Sequence, residues 1–369
     1  MKRSGMVSLP LHSGKAPGWL FQRMVSLARG IVDIVVFEYQ PVELMRRLSD
    51  PFWFQAFACT LGFDWHSSGT TTVTCGVLKE VLSPKLHGIG MAGGKGKSAT
   101  KTLKEIDDRG DILGLTSSKI ESLRYASRMA AKVDSAALQD KHQLYHHNII
   151  FTEQGKWVII QQGMDSENKT ARRYHWLSES LKDFVEEPHE AILGQKGEVL
   201  DMTSKRSNET KKISLDIMND HPKHMKRDWK CMHISKNQST LLDFKKCNSI
   251  PAFIKMPKTI NWKLMKDIYD FQPQNYEEFL SLKGVGPSIV RALALISNLI
   301  YGCEPSWEDP VKYTFTVGGK DGVPYPVDTK AMDRSISIIE DGIKQAKIGK
   351  EDKLRALKRL QRLIPPEIR

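Results

Sequence analysis

Apolar residues recur at helical spacing over 19–38, where Leu20, Met24, Leu27, Ile31, Ile34 and Val35 fall on one side. A second helix is expected after Pro41, with Leu44 and Leu48 inward. A third follows from Pro51, where Phe52, Trp53, Phe54 and Phe57 leave little polar face. Gly62 should end that helix, and the polar loop Asp64-Trp65-His66-Ser67-Ser68-Gly69 leads into another helix over 70–82. Glycine-rich residues 88–97 are expected to form a basic loop, followed by helices at 101–108 and 117–133. The period then shortens. Residues 145–152 and 156–162 alternate apolar and polar positions around Glu153-Gln154-Gly155, the pattern of a β-hairpin. Residues 201–250 have few large apolar side chains and no sustained period, as in a connector that is extended or partly helical. From Asn261 the pattern is helical again, at about 261–270, 275–281, 287–301, 329–348 and 351–364, with an irregular insertion at 303–327. No internal repeat is visible.

The expected fold class is therefore α+β and mostly helical. It comprises an N-terminal block over 1–200 with a small β-hairpin or sheet, a connector over 201–260 and an all-α region over 261–369. Charge sharpens this division. The 369-residue chain carries 55 Lys and Arg against 43 Asp and Glu, a net +12. Residues 201–260 hold 13 basic and 6 acidic groups, and residues 341–369 hold 9 and 4, whereas 261–340 is net acidic. A polyanion partner fits these basic stretches, while a uniformly basic coat protein does not. No apolar run approaches the ~20 residues needed to cross a bilayer, and the N-terminus has no signal-peptide pattern, so no membrane association is expected. The five cysteines are widely spaced and contain no CxxC, which suits a reducing cytoplasmic location rather than a disulfide framework.

The most specific segment is 275–297, which contains Leu282-Lys283-Gly284-Val285-Gly286-Pro287-Ser288. A short helix should end near Leu282 and a longer one open at Pro287, where proline's missing N–H costs nothing. Between them the glycines permit positive φ and close backbone approach. The new helix offers unpaired N–H groups and its positive dipole end, the features of a phosphate site. This segment resembles the helix-hairpin-helix motif, which holds a DNA sugar–phosphate backbone without reading bases. The resemblance implies DNA-binding roles for Lys283, Gly284, Val285, Gly286 and Ser288. A further likeness is to helix-hairpin-helix DNA glycosylases, through Val327-Asp328-Thr329 and Arg334, which would make Asp328 catalytic. Two features depart from it: Ser288 stands where the bifunctional members carry a Schiff-base lysine, and the insertion lengthens the spacing to Asp328. The alternative role for Asp328 is a helix cap.

Chemistry elsewhere concentrates in the polar segments of the N-terminal block. Phosphodiester cleavage needs carboxylates or imidazoles to hold a cation or move a proton, and Lys or Arg to stabilise developing charge. His12, Asp64, His66, Asp134 and His146 supply the former, with Lys15, Arg172 and Arg173 the latter; Asp140 and Lys132 belong to the same inventory. A divalent cation such as Mg²⁺ or Mn²⁺ would suit these groups, although no recognised metal spacing appears among them. Residues 90–98 look like a phosphate loop, but Met91 replaces a required glycine and no apolar strand precedes it. Lys95 and Lys97 are instead expected on a mobile basic loop that closes over a phosphate backbone. The connector's Cys231, His233 and Cys247 match no zinc-finger spacing, and Trp229 could stack on a base.

Across nearly its whole length the chain resembles an archaeal and thermophile family known as a domain of unknown function. The likeness rests on Lys2-Arg3-Ser4-Gly5, Leu11-His12-Ser13-Gly14-Lys15, Asp50-Pro51-Phe52-Trp53-Phe54-Gln55, Tyr145-His146-His147, Gln161-Gln162-Gly163-Met164 and Gly318-Gly319-Lys320-Asp321-Gly322, with the segments 62–69 and 172–176. It implies no established activity. Three readings stand: a DNA-repair or recombination nuclease, a base glycosylase, or a non-catalytic DNA-binding protein that recruits a partner.

Overall fold

A computed structural model describes residues 17–62, 68–232, 250–311, 337, 339–346 and 349–362. Four helices come first: Gly18–Tyr39, Pro41–Ser49, Pro51–Leu61 and Ser68–Val81. Their breaks follow from sequence. Pro41 and Pro51 occupy first-turn positions, and the Asp50 side chain caps the third helix by accepting from the Phe52 amide at 2.8 Å.

The centre of the molecule is a five-stranded antiparallel sheet. Its strands are β1 (Ile89–Lys95), β3 (Gln143–Thr152), β4 (Trp157–Asp165), β5 (Thr170–Leu177) and β6 (Ala191–Leu193), hydrogen-bonded in that spatial order. A two-stranded ladder joins β2 (Leu138–Gln139) to β7 (Leu200–Asp201). The expected hairpin is β3–β4. The expected basic loop over 88–97 is different in structure, since most of it is the edge strand β1, paired with β3 from Ile89↔Thr152 to Lys95↔His146. Glycines make this pairing possible. At Gly93 the backbone has φ +104°, and a Cβ would stand 2.1 Å from the His147 carbonyl oxygen. Lys95 and Lys97 remain exposed, at the end of β1 and in the short helical turn Gly96–Lys101.

Side chains alternate across the sheet, and both faces are covered. Val158 and Ile160 join a core with the first four helices, while Ile159 joins a second core on the opposite face. The second core draws on Thr102–Ile112, Ser117–Lys132, Asn208–Asn219, Pro222–Cys231, Trp262–Phe271, Tyr276–Ser281 and Pro287–Leu299. Its described members come from both sides of positions 200 and 261, between Ala92 and Val311, so neither position marks a gap between cores. Ile339, Ile343, Ala346, Ala356 and Leu360 belong instead to the first core, on the other side of the sheet from 262–311. The reason is that each apolar helix face from the C-terminal third has a sheet face within reach to cover.

Part of the expected connector is likewise helical. Asn208–Asn219 and Pro222–Cys231 pack on the helices Trp262–Phe271 and Pro287–Leu299. The inward side of Asn208–Asn219 includes Thr210, Lys211 and Ser214, with Ile217 and Met218 as its only buried large apolar residues. Lys211 Nζ is satisfied by the Val185 carbonyl at 2.8 Å. None of the described helices is long and apolar enough to cross a membrane.

If β1 is a strand rather than a mobile loop, Gly93→Val must push His147 aside and adopt a disfavoured φ. It should destabilise the protein by more than ~2 kcal/mol in urea unfolding. A variant with unchanged midpoint would contradict the strand.

Candidate functional site

One candidate is the turn between Tyr276–Ser281 and Pro287–Leu299. Asn275 caps the first helix, its side chain accepting from the Glu278 amide at 2.8 Å. Gly284 sits at φ +93°, Val285 is buried as an anchor, and Gly286 leads into Pro287 at the start of the second helix. Two side chains of the N-terminal block hold the turn from beneath. Lys132 Nζ donates to the carbonyls of Leu282 and Val285 at 2.7 and 2.6 Å, and Gln139 Nε2 donates to that of Pro287 at 2.9 Å. Burial lowers the Lys132 pKa, so its ammonium depends on those two carbonyls. Lys132 is thus an internal clamp rather than a group facing substrate.

With three carbonyls occupied from inside, Lys283, Gly284, Pro287 and Ser288 remain exposed. Among the described residues the Gly286 and Ser288 amides have no backbone partner. A second basic surface is Pro222–Cys231, where Lys223, Lys226, Arg227 and Lys230 line one open depression with Cys231. Trp229, expected to be free for base stacking, is packed instead. Its ring meets Trp262 edge-on at 5.7 Å, and Nε1 donates to the Pro257 carbonyl at 3.2 Å.

The eight residues expected to form one catalytic cluster are distributed otherwise. His12, Lys15, Asp64 and His66 lie outside the described residues, as does Asp328. Of the other four, Asp134 and Arg172 sit on the sheet face towards 262–299, and His146 and Arg173 on the face towards the first four helices. The period of two in β5 enforces this, because adjacent Arg172 and Arg173 must point oppositely.

On the Asp134 face every charge is answered. Asp134 accepts from the Gln161 amide and from Trp176 Nε1, and its other oxygen meets His189 Nε2. His147 continues the chain, donating from Nδ1 to Gln161 Oε1 at 2.8 Å while Nε2 meets the Ser127 hydroxyl at 2.8 Å. Arg172 spans Asp140 at 2.8 Å and Asp309 at 2.7 Å, and Tyr174 donates its hydroxyl to Asp140 at 2.7 Å. Burial raises the Asp134 carboxyl against the pull of His189. Burial would also raise Asp140, but Arg172 and His142 outweigh it and hold that carboxyl well below the usual range. Such a closed, paired network is structural chemistry.

The opposite face is different. A row of cross-strand neighbours runs Lys95–His146–Gln162–Arg173 from the exposed edge inward. Gln162 donates to the Ser68 carbonyl at 2.9 Å and to the Tyr145 oxygen, and accepts from the Thr71 hydroxyl. Gln162 belongs to a segment that carries the family resemblance, but Thr71 had no signal in the sequence, since a buried Thr looks like an ordinary surface residue there. Burial, reinforced by His147 and Lys95, lowers His146 to about 3. Burial lowers His147 as well, and with Arg173 it depresses His175, whose Nδ1 donates to the Leu48 carbonyl at 3.1 Å. Among the described residues no group of three or more His, Cys, Asp or Glu side chains is placed to hold a metal ion.

The fold and these surfaces define a mostly helical α+β protein, with a central antiparallel sheet covered on both faces and one helical hairpin presented outward. The chain belongs to the family described as protein of unknown function (DUF763), whose profile matches residues 5–327. Comparison with curated proteins and with solved structures gives no match.

The depressed histidines dictate an acid limit. Below the usual histidine pKa of about 6.5, the unfolded chain takes up protons that buried His146, His147 and His175 refuse. Their contribution is complete above that pH and is lost as pH falls, by about 1.4 kcal/mol per pH unit for each histidine. The melting temperature should hold steady from pH 8 to 7 and drop steeply between 6 and 5; a flat profile down to pH 5 would rule this out.

Proposed function

We propose that this protein binds DNA without reading its sequence, gripping the sugar–phosphate backbone at the 283–288 turn in the manner of a helix-hairpin-helix. The observation that carries this reading is the polarity of the turn. Lys132 and Gln139 take its carbonyls from inside, so the outer surface is left with amides, a lysine and the positive end of a 13-residue helix. Oxygen acceptors turned inward and N–H donors turned outward match a phosphate. Backbone donors fix a strand's position without sensing bases, which makes the grip independent of sequence.

The basic helix Pro222–Cys231 packs on the hairpin's second helix and adds charge beside it. Long-range attraction then comes from these lysines and close contact from the turn. A second reading, DNA strand cleavage in repair or recombination, is favoured by one observation on the other sheet face. There Arg173 is charged and buried and donates to the hydroxyl of Thr71, five residues after His66 in the sequence. Mg²⁺ or Mn²⁺ would be the natural cofactor for that chemistry.

Fluorescence anisotropy with a labelled duplex tests the grip. Lys283→Glu should weaken binding several-fold on unrelated sequences alike, and Lys283→Ala should reduce the log–log salt slope by about 1. Gly284→Val should weaken it further, because a side chain there meets φ +93° and would bring its Cβ to 2.8 Å from Leu264. Wild-type affinity in a folded Lys283→Glu variant would remove the turn from the interface.

A further inference from the structure

The guanidinium of Arg173 is wholly shielded from solvent, yet among the described residues only Nη1 has a partner, the Thr71 hydroxyl at 3.3 Å. Nε and Nη2 have no hydrogen-bond partner among the described residues. These two nitrogens form one edge of the planar group, the edge that engages two oxygens of a carboxylate or phosphate side by side. Among the described residues its other neighbours include the Phe54 ring, 4.6 Å from Cζ, and the thiols of Cys75 and Cys59, the groups it senses electrostatically. Burial lowers its pKa to about 10, so Arg173 still carries a full charge at neutral pH.

An unanswered buried cation is among the costliest features a fold can contain. The contrast with Arg172, one residue away and held by two carboxylates from outside the five-stranded sheet, shows that this fold can supply counter-ions where they are needed. The surroundings of Arg173 add further donors. Thr74, on the same helix three residues beyond Thr71, has a buried hydroxyl without a partner. Thr71 itself is in the first turn of Ser68–Val81, where the helix dipole is positive. His146, two strands away in the same row, has an unpartnered buried Nδ1, and Lys95 lies at the exposed end of that row.

We infer that the free edge of Arg173, with the Thr74 hydroxyl, forms a buried oxyanion site that takes a phosphate monoester or inorganic phosphate, while Thr71, whose own proton goes to Gln162, orients the guanidinium. A phosphate rather than a carboxylate fits because donors approach from two elements, strand β5 and the helix Ser68–Val81, and a tetrahedral ion can meet both. Burial limits the ligand to a small anion or a strand's terminal phosphate, since an internal phosphodiester of a duplex could not enter. The site is on the opposite sheet face from the core that includes the 283–288 turn, and it does not depend on DNA binding there.

The probe is inorganic phosphate at 10 mM, compared with chloride at equal ionic strength, read by melting temperature and by calorimetric titration. Phosphate should raise the wild-type melting temperature by several degrees through preferential binding to the folded state. Arg173→Met should lose that shift, and in phosphate-free buffer it should melt at or above the wild-type temperature, because it removes an unpaired charge. Arg173→Lys, which keeps the charge but not the fork, should bind phosphate at least tenfold more weakly.

Lys283→Glu should bind phosphate as the wild type does, which separates this site from the DNA grip. Displacement of phosphate by a 5′-phosphorylated oligonucleotide, but not by its unphosphorylated twin, would assign the ligand to strand ends; no displacement would assign it to free phosphate. Either result supports the site. Absence of a phosphate effect on the wild type, an effect retained in Arg173→Met, or a phosphate-free Arg173→Met that melts well below wild type would each overturn it.

Discussion

Burying both faces of an antiparallel sheet removes water from every side chain that the sheet carries. Each ionisable group on β3, β4 and β5 must then be paired, hydrogen-bonded in its neutral form, or left at a cost of several kcal/mol. This constraint orders the whole molecule. It explains why Asp140 and Asp309 converge on Arg172, and why three histidines are held neutral. It also draws the C-terminal third to both sides. Residues 262–299 seal one face and residues 339–360 help to seal the other.

Against that background the two adjacent arginines of β5 have opposite meanings. Removing one partner of a buried pair such as Arg172–Asp140 typically costs about 3–5 kcal/mol, which is enough to explain its presence by stability alone. Arg173 gains nothing comparable from Phe54 and a single hydroxyl. A fold that neutralises one guanidinium with two carboxylates and, among the described residues, leaves its neighbour's bidentate edge bare has separated a structural charge from an available one.

Much of this was legible in the chain. The first four helices, the β3–β4 hairpin and the 276–299 helix pair follow from period, proline placement and caps. What escaped has definite physical causes. β1 reads as a loop because Gly90, Gly93 and Gly94 leave no alternation, although contact with Phe151 and His147 is what requires two of those glycines. β5 reads as a polar surface segment because Arg172, Arg173 and His175 mask the buried Tyr174 and Trp176. The helix Asn208–Asn219 turns Thr210, Lys211 and Ser214 inward and so lacks an apolar stripe. The candidate site was legible as an inventory only. Composition identified His146, Asp134, Arg172 and Arg173, but a period of two, invisible until β5 was known to be a strand, divides them between two faces.

Rigidity connects the hairpin to this buried chemistry. A turn that binds phosphate through backbone N–H groups works only when those groups are already aimed, since ordering them on contact would consume the gain. Here the aim is set from within the core. Lys132 closes the helix Ser117–Lys132 and reaches two turn carbonyls, while Gln139, at the end of β2, reaches a third. Between them in sequence lies Asp134, fixed by Gln161 and Trp176 of the sheet. The residues that clamp the turn and the residues that neutralise the inner face thus belong to one continuous segment, 132–140. The Asp134–Asp140 network, which resembles an active site in composition, therefore acts as the foundation that fixes the 282–287 turn from within the core.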